Sequence, residues 1–167
     1  PGDRRLRVET VALLAARDYA RAEMEHQLLH WLELRARAHA EALTPADIQP
    51  PEAGLDPAER LPAIHAVLDE MQQKQFQSDE RAAQSLVYRR AGKLGTARIA
   101  QELRRKGLDD NTIAGALDTL EGSELERARA ILEKKFGQPP ATPQERAKQM
   151  RFLASRGFGG DTVRRVL

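Results

Sequence analysis

Apolar residues recur along this chain at three- and four-residue intervals, the spacing that lines one face of an α-helix. The clearest stripes are Ile64/Val67/Leu68/Met71, Ile99/Leu103, Ile113/Ala116/Leu117/Leu120 and Leu125/Ala128/Ile131/Leu132. Val11/Leu14 and Leu86/Val87 with Ala82/Ala83 are shorter ones. No segment alternates with a period of two over a useful length, so no sheet is expected. Polar punctuation between the stripes marks helix ends. Asp56-Pro57-Ala58-Glu59, Ser123-Glu124-Leu125-Glu126 and Thr142-Pro143-Gln144-Glu145 each place an N-cap three residues before a glutamate. In two of them proline takes the first helical position, where its missing N–H costs nothing. Ser78-Asp79-Glu80 and Asp109-Asp110-Asn111 are weaker starts, and stops fall at Gly92–Gly95, Gly107, Gly137-Gln138-Pro139-Pro140 and Gly157. Together these marks predict about nine helices, at 5–17, 19–43, 58–75, 78–92, 95–106, 110–121, 123–137, 143–156 and 160–167.

The pattern repeats. Arg104-Arg105-Lys106-Gly107-Leu108-Asp109-Asp110-Asn111-Thr112-Ile113 aligns with Ala154-Ser155-Arg156-Gly157-Phe158-Gly159-Gly160-Asp161-Thr162-Val163, so that Gly107 meets Gly157 and Leu108 meets Phe158. Leu103 pairs with Leu153, Arg98 with Lys148, and Ala116-Leu117 with Val166-Leu167 in the same register. Physically this is a helix stopped by glycine, one apolar residue tucked under the turn, a polar cap and a further helix. A looser copy lies upstream, with Met24 and Leu28 in the places of Ile99 and Leu103. Nine helices then resolve into three units of three, at 1–75, 76–121 and 122–167, the first carrying an insertion at about 36–57. Units this small cannot bury an apolar face alone and are expected to stack.

Composition supports this reading. The 167 residues include 26 Ala and 21 Leu against 6 Val and 5 Ile, and 4% are aromatic, which favours helices over strands and small helical units over one large core. With no cysteine there is no disulfide, thiolate nucleophile or Cys-based zinc site, and no apolar run approaches the roughly 20 residues of a membrane span. A cytoplasmic location and no membrane association are expected. The chain starts Pro1-Gly2-Asp3 rather than with Met, in keeping with a trimmed start.

Net charge is only +2, yet it is unevenly placed. From Arg81 to Lys106 there are eight bases against Glu102 alone, from Leu108 to Glu126 six acids and no base, and from Glu145 to Leu167 six bases against two acids. Taking Ile99 and Leu103 as the inward face of their helix puts Arg98, Gln101, Arg104 and Arg105 on its outer arc, with Lys148 and Arg151 at matching places one repeat on. The candidate binding face accordingly comprises Arg89, Arg90, Lys93, Arg98, Arg104, Arg105, Lys148, Arg151, Arg156, Arg164 and Arg165. Such cations suit phosphates or an acidic protein partner.

Three motifs in order resemble the RecX family, bacterial regulators of the RecA recombinase. They are Arg17-Asp18-Tyr19-Ala20-Arg21-Ala22-Glu23-Met24, the run Ser78-Asp79-Glu80-Arg81-Ala82-Ala83…Arg89-Arg90…Gly95…Arg98-Ile99-Ala100-Gln101-Glu102-Leu103-Arg104-Arg105-Lys106-Gly107-Leu108, and Phe152-Leu153-Ala154-Ser155-Arg156-Gly157-Phe158. The likeness runs from about residue 10 to the end, leaving out the insertion. It departs from the family pattern at Ser78-Asp79 and Ala82, where paired aspartates and an aromatic are usual. The resemblance implies an all-α, elongated and curved array of three three-helix repeats. It also implies a negative regulator that binds the RecA–DNA filament and limits its growth, ATPase, strand-exchange and co-protease activity, acting as a monomer. Direct contact with DNA phosphates is a further option, and a helical DNA-binding protein acting without RecA is the alternative. No enzyme is expected, and neither a cofactor nor a metal: His26 and His30 stand one turn apart without a third ligand, and there is no P-loop, dinucleotide fingerprint or Gly-x-Ser-x-Gly.

Overall fold

A computed structural model describes residues 2–42 and 55–167, and within them the chain is helical with no strand. The order is α1 (Gly2–Ala16), α2 (Arg21–Ala42), α3 (Pro57–Gln73), α4 (Asp79–Ala91), α5 (Thr96–Arg105), α6 (Asp110–Leu117), α7 (Glu124–Phe136), α8 (Pro143–Ser155) and α9 (Gly160–Val166). These helices group into two units, Pro1–Asp79 and Glu80–Leu167. The expected second repeat, from residue 80 onward, and the third thus fall within one unit. The expected insertion at about 36–57 begins as a continuation of α2 and ends at the start of α3; residues 43–54 between them lie outside the described residues. Among the described residues no helix is long and apolar enough to cross a membrane.

In the first unit, Met24 and Leu28 of α2 meet Ile64, Val67, Leu68 and Met71 of α3, all of them buried as their spacing requires. On α1 the inward stripe differs from the expected Val11/Leu14. Leu6 and Thr10 are fully buried, Leu13 and Leu14 pack partly against the core, and Val11 is 47% exposed. The threonine is tolerated inside because its Oγ1 donates to the Leu6 carbonyl (2.7 Å), satisfying the hydroxyl within its own helix. A polar letter therefore occupies a core position.

In the second unit the repeat is visible in three dimensions. Leu103 and Leu153 are fully buried, Leu108 and Phe158 sit under their turns, and Ile113 and Val163 face inward. Gly107 and Gly157 adopt φ of +79° and +82°, the left-handed stop that glycine takes without steric cost. In each stop the following amide reaches back, Leu108 N to Leu103 O (3.4 Å) and Phe158 N to Leu153 O (3.2 Å). Where the register places Ile99, the second copy has Gln149, buried and donating to Gln138 O (3.4 Å). Ala128, Ile131 and Leu132 of α7 close over Leu153, Phe158 and Val163, with Phe136 and Phe152 edge to face at 5.3 Å.

The caps match their sequence signals. Asp56, Asp109, Ser123 and Thr142 each accept a backbone N–H at their helix start, and Ser123 with Glu126 forms the reciprocal pair. Helix α6 ends at Leu117, four residues before the expected boundary. Thr119 N–H and its hydroxyl both turn back to Ala116 O (3.1 and 2.6 Å), tightening the chain into a turn before Gly122 at φ +70°.

Candidate interaction surface

The second unit brings two turns into backbone contact. Gly95, at the start of α5, donates its N–H to Arg156 O at the end of α8 (2.9 Å). A Cβ on Gly95 would run into the Gly157 carbonyl and Phe158 N, and one on Gly157 would run into Arg98 Cβ and Arg98 N. Glycine on both sides is what permits this approach. The consequence for charge is direct: Lys93, Arg98 and Arg156 are gathered around one seam. Arg156 Nη1 donates to Lys93 O (3.3 Å), and its guanidinium lies 4.3 Å from the centre of the Phe152 ring, so this side chain is held in place by stacking and a hydrogen bond together.

The other candidate cations are disposed differently. Arg98, Arg104 and Arg105 all lie on the exposed side of α5, as the outer-arc reading requires. Arg98 reaches Gln101 Oε1 (3.4 Å) and Arg104 makes a long, exposed pair with Asp110 (3.5 Å). Arg105, Arg151 and Arg165 make no side-chain hydrogen bond or ion pair among the described residues. Lys148 sits 6.0 Å from the Phe136 ring centre and Arg164 pairs with Asp161 at 3.3 Å. On α4, Arg89 donates to Ser85 Oγ (2.7 Å), and Arg90 is engaged with Glu102 (2.9 Å) across to α5. The seam gathers three of the eleven candidates.

Three of the six acids between the basic blocks are committed to the fold. Asp109 accepts from Thr112 N (2.9 Å) and from its hydroxyl (3.0 Å), and these bonds hold its carboxyl below the usual carboxylate range. Glu126 is lowered in the same way by the Ser123 amide and hydroxyl. Glu124 is the residue that sequence reasoning missed. It was legible only as a first-turn acid of α7, yet its Oε1 accepts from Thr96 N (3.0 Å) on α5 and its Oε2 from Thr162 Oγ1 (2.8 Å) on α9. Burial pushes the Glu124 carboxyl up, and the hydrogen bonds from Thr162, Thr96 and Gly159 outweigh that and hold it low. A signal was present in retrospect: Gly95 and Gly159 stand at N-cap positions but offer no side-chain oxygen. Their helices must be capped from elsewhere.

Among the described residues no three His, Cys, Asp or Glu side chains are grouped to hold a metal, and His26 and His30 are both exposed on α2.

Comparison with known proteins agrees with this architecture. Residues 78–117 match the family profile described as RecX, second three-helix domain, and 123–167 that described as RecX, third three-helix domain. The chain is 43% identical over 162 residues to the regulatory protein RecX of Leptothrix cholodnii, covering 97% of this chain and 87% of that protein. It is 42% identical over 110 residues to the regulatory protein RecX of Ralstonia nicotianae, covering 66% and 69%. Two solved structures share the fold: the crystal structure of RecX from Lactobacillus salivarius (TM-score 0.63, 18% identity, 99% of this chain and 94% of that one) and a crystal structure of regulatory protein RecX (TM-score 0.66, 16% identity, 99% and 72%). The glycine-stopped repeat, its two matched three-helix domains and near end-to-end identity to a named relative converge: the chain belongs to the RecX family.

Proposed function

We propose that this chain restrains the RecA recombinase by binding the RecA–DNA filament. Binding limits filament growth, ATP hydrolysis, strand exchange and co-protease activity, with no reaction of the chain's own. The observation that carries this reading is the 43% identity, over 97% of the chain, to a protein named for regulation rather than for a catalytic activity. We further propose that it acts as a cytoplasmic monomer built of three three-helix units at 1–75, 76–121 and 122–167. Its contact face is the basic set Arg89, Arg90, Lys93, Arg98, Arg104, Arg105, Lys148, Arg151, Arg156, Arg164 and Arg165, of which Lys93, Arg98 and Arg156 meet at the Gly95–Gly157 seam. Exposed Arg105, Arg151 and Arg165, lacking partners among the described residues, have their donors available for acidic side chains of a filament or for DNA phosphates within it.

The test is RecA ATP hydrolysis on single-stranded DNA, with and without the chain, at two salt concentrations. Hydrolysis is expected to fall as the chain is added, and to fall less at the higher salt because exposed charge pairs are screened. Hydrolysis unchanged at both concentrations would overturn the proposal. Sequence-specific duplex binding in the absence of RecA would support a free-standing DNA-binding protein in its place.

A further inference from the structure

Besides the Gly95 N–H to Arg156 O bond, the junction between the second and third three-helix domains is held by a carboxylate that its own helix does not need as a cap. Helix α7 is already capped by Ser123, whose Oγ accepts from Glu126 N (3.2 Å) while Glu126 Oε2 accepts from Ser123 N (2.7 Å). Glu124, the next residue, is therefore free to turn outward. It accepts from Thr96 N at the start of α5 in the second domain, and from Thr162 Oγ1 and Gly159 N at the α8–α9 turn of its own domain. Arg127, one turn further along α7, donates Nη2 to Thr96 Oγ1 (2.8 Å). The first turn of α5 thus receives from another domain the oxygen that Gly95 cannot supply. The negative charge is also placed favourably at the positive end of that helix. The first unit contains a similar acid: Asp79 Oδ1 accepts from Arg21 N (2.7 Å) at the start of α2, where Ala20 offers no capping oxygen.

We infer that Glu124 is a positioning residue, clasping α5 against α7 and α9 so that Arg98 and Arg156 keep the fixed spacing with which the chain engages its filament. The inference rests on the proposed filament-binding function for its consequence, though not for the clasp itself. Loss of Glu124 leaves Thr96 N without its acceptor and frees the two domains to move about the Gly95–Gly157 contact.

The full chain has no cysteine, so labels can be introduced without background. Spin labels at Ala114→Cys and Ala130→Cys, exposed positions on α6 and α7, report the spacing of the two domains. A single narrow distance distribution is expected with Glu124 present, and a broadened one in Glu124→Ala at unchanged helicity. Glu124→Gln, which keeps one acceptor oxygen, is expected to fall between them. The half-inhibitory concentration in the RecA ATPase assay should rise roughly tenfold for Glu124→Ala, as when linked contacts lose a fixed spacing, with partial rescue in Glu124→Gln. An unchanged distance distribution in Glu124→Ala would overturn the clasp. Broadening with undiminished inhibition would overturn its link to binding. Loss of helicity in both variants would overturn it too, since Glu124 would then be a folding residue. Absence of inhibition by the unsubstituted chain would instead count against the filament reading, leaving the distance measurement to decide the clasp.

Discussion

Gly95→Ala is expected to destabilise the second unit by about 2–3 kcal/mol, although it adds a single methyl group. That methyl would collide with the Gly157 carbonyl and Phe158 N, which are backbone atoms. A flexible side chain could swing aside, whereas the turn after α8 is pinned from within by the left-handed Gly157 and the buried Phe158. The methyl can be seated only by moving the two turns apart, which weakens the Gly95 N–H to Arg156 O bond as well. Gly92→Ala is the matched control, because a Cβ there meets nothing within 4 Å. Calorimetry should show a drop of roughly 10–20 °C in the transition of the second unit for Gly95→Ala, and almost none for Gly92→Ala. Equal melting of the two variants would contradict the close packing of these turns.

The second large effect is expected from reversing Arg98, Arg104 and Arg105 to glutamate. All three lie on the exposed side of α5, whose buried face is Ile99, Ala100 and Leu103, so the substitutions leave the core untouched. Glutamate in place of Arg98 falls in the first turn of the helix, where negative charge is favourable. Glutamates at 104 and 105 fall in the last turn and cost about 0.5 kcal/mol each. The fold should survive. Binding should not, because each reversal replaces an attraction to an acidic surface with a repulsion. At about 1 kcal/mol or more for each site, affinity for the filament is expected to drop on the order of 100-fold. Titration of the folded triple variant against filament checks this, and undiminished affinity would remove α5 from the contact face.

What could be read from the sequence was local. The stripes Ile64/Val67/Leu68/Met71 and Ile113/Ala116, the caps at Asp56, Ser123 and Thr142, and the glycine stops at 107 and 157 all act within a few residues of themselves, and all are where their spacing puts them. The equivalence of Leu108 with Phe158 was legible because both must fill the space under the same turn. Features that depend on a distant segment were not. Gly95 reads as a helix stop until the turn at Gly157 is brought against it. Glu124 reads as a first-turn acid until Thr96 and Thr162, 28 and 38 residues away, point at its two oxygens. The candidate face was legible in kind more than in layout. Block counting found the bases, but it could not tell Arg90, engaged with Glu102, from Arg105, which has no such partner among the described residues. Nor could it tell that Arg156 is held over Phe152 beside Lys93.

On the proposed function the chain binds RecA assembled on DNA in preference to either component alone. The most direct measurement is co-sedimentation of the chain with preformed RecA filaments on single-stranded DNA, beside parallel samples holding the DNA alone and RecA alone. The chain is expected to pellet with filament, to be released as salt rises, and to stay in the supernatant with either component by itself. Equal retention on bare DNA, or none on the filament, would contradict it.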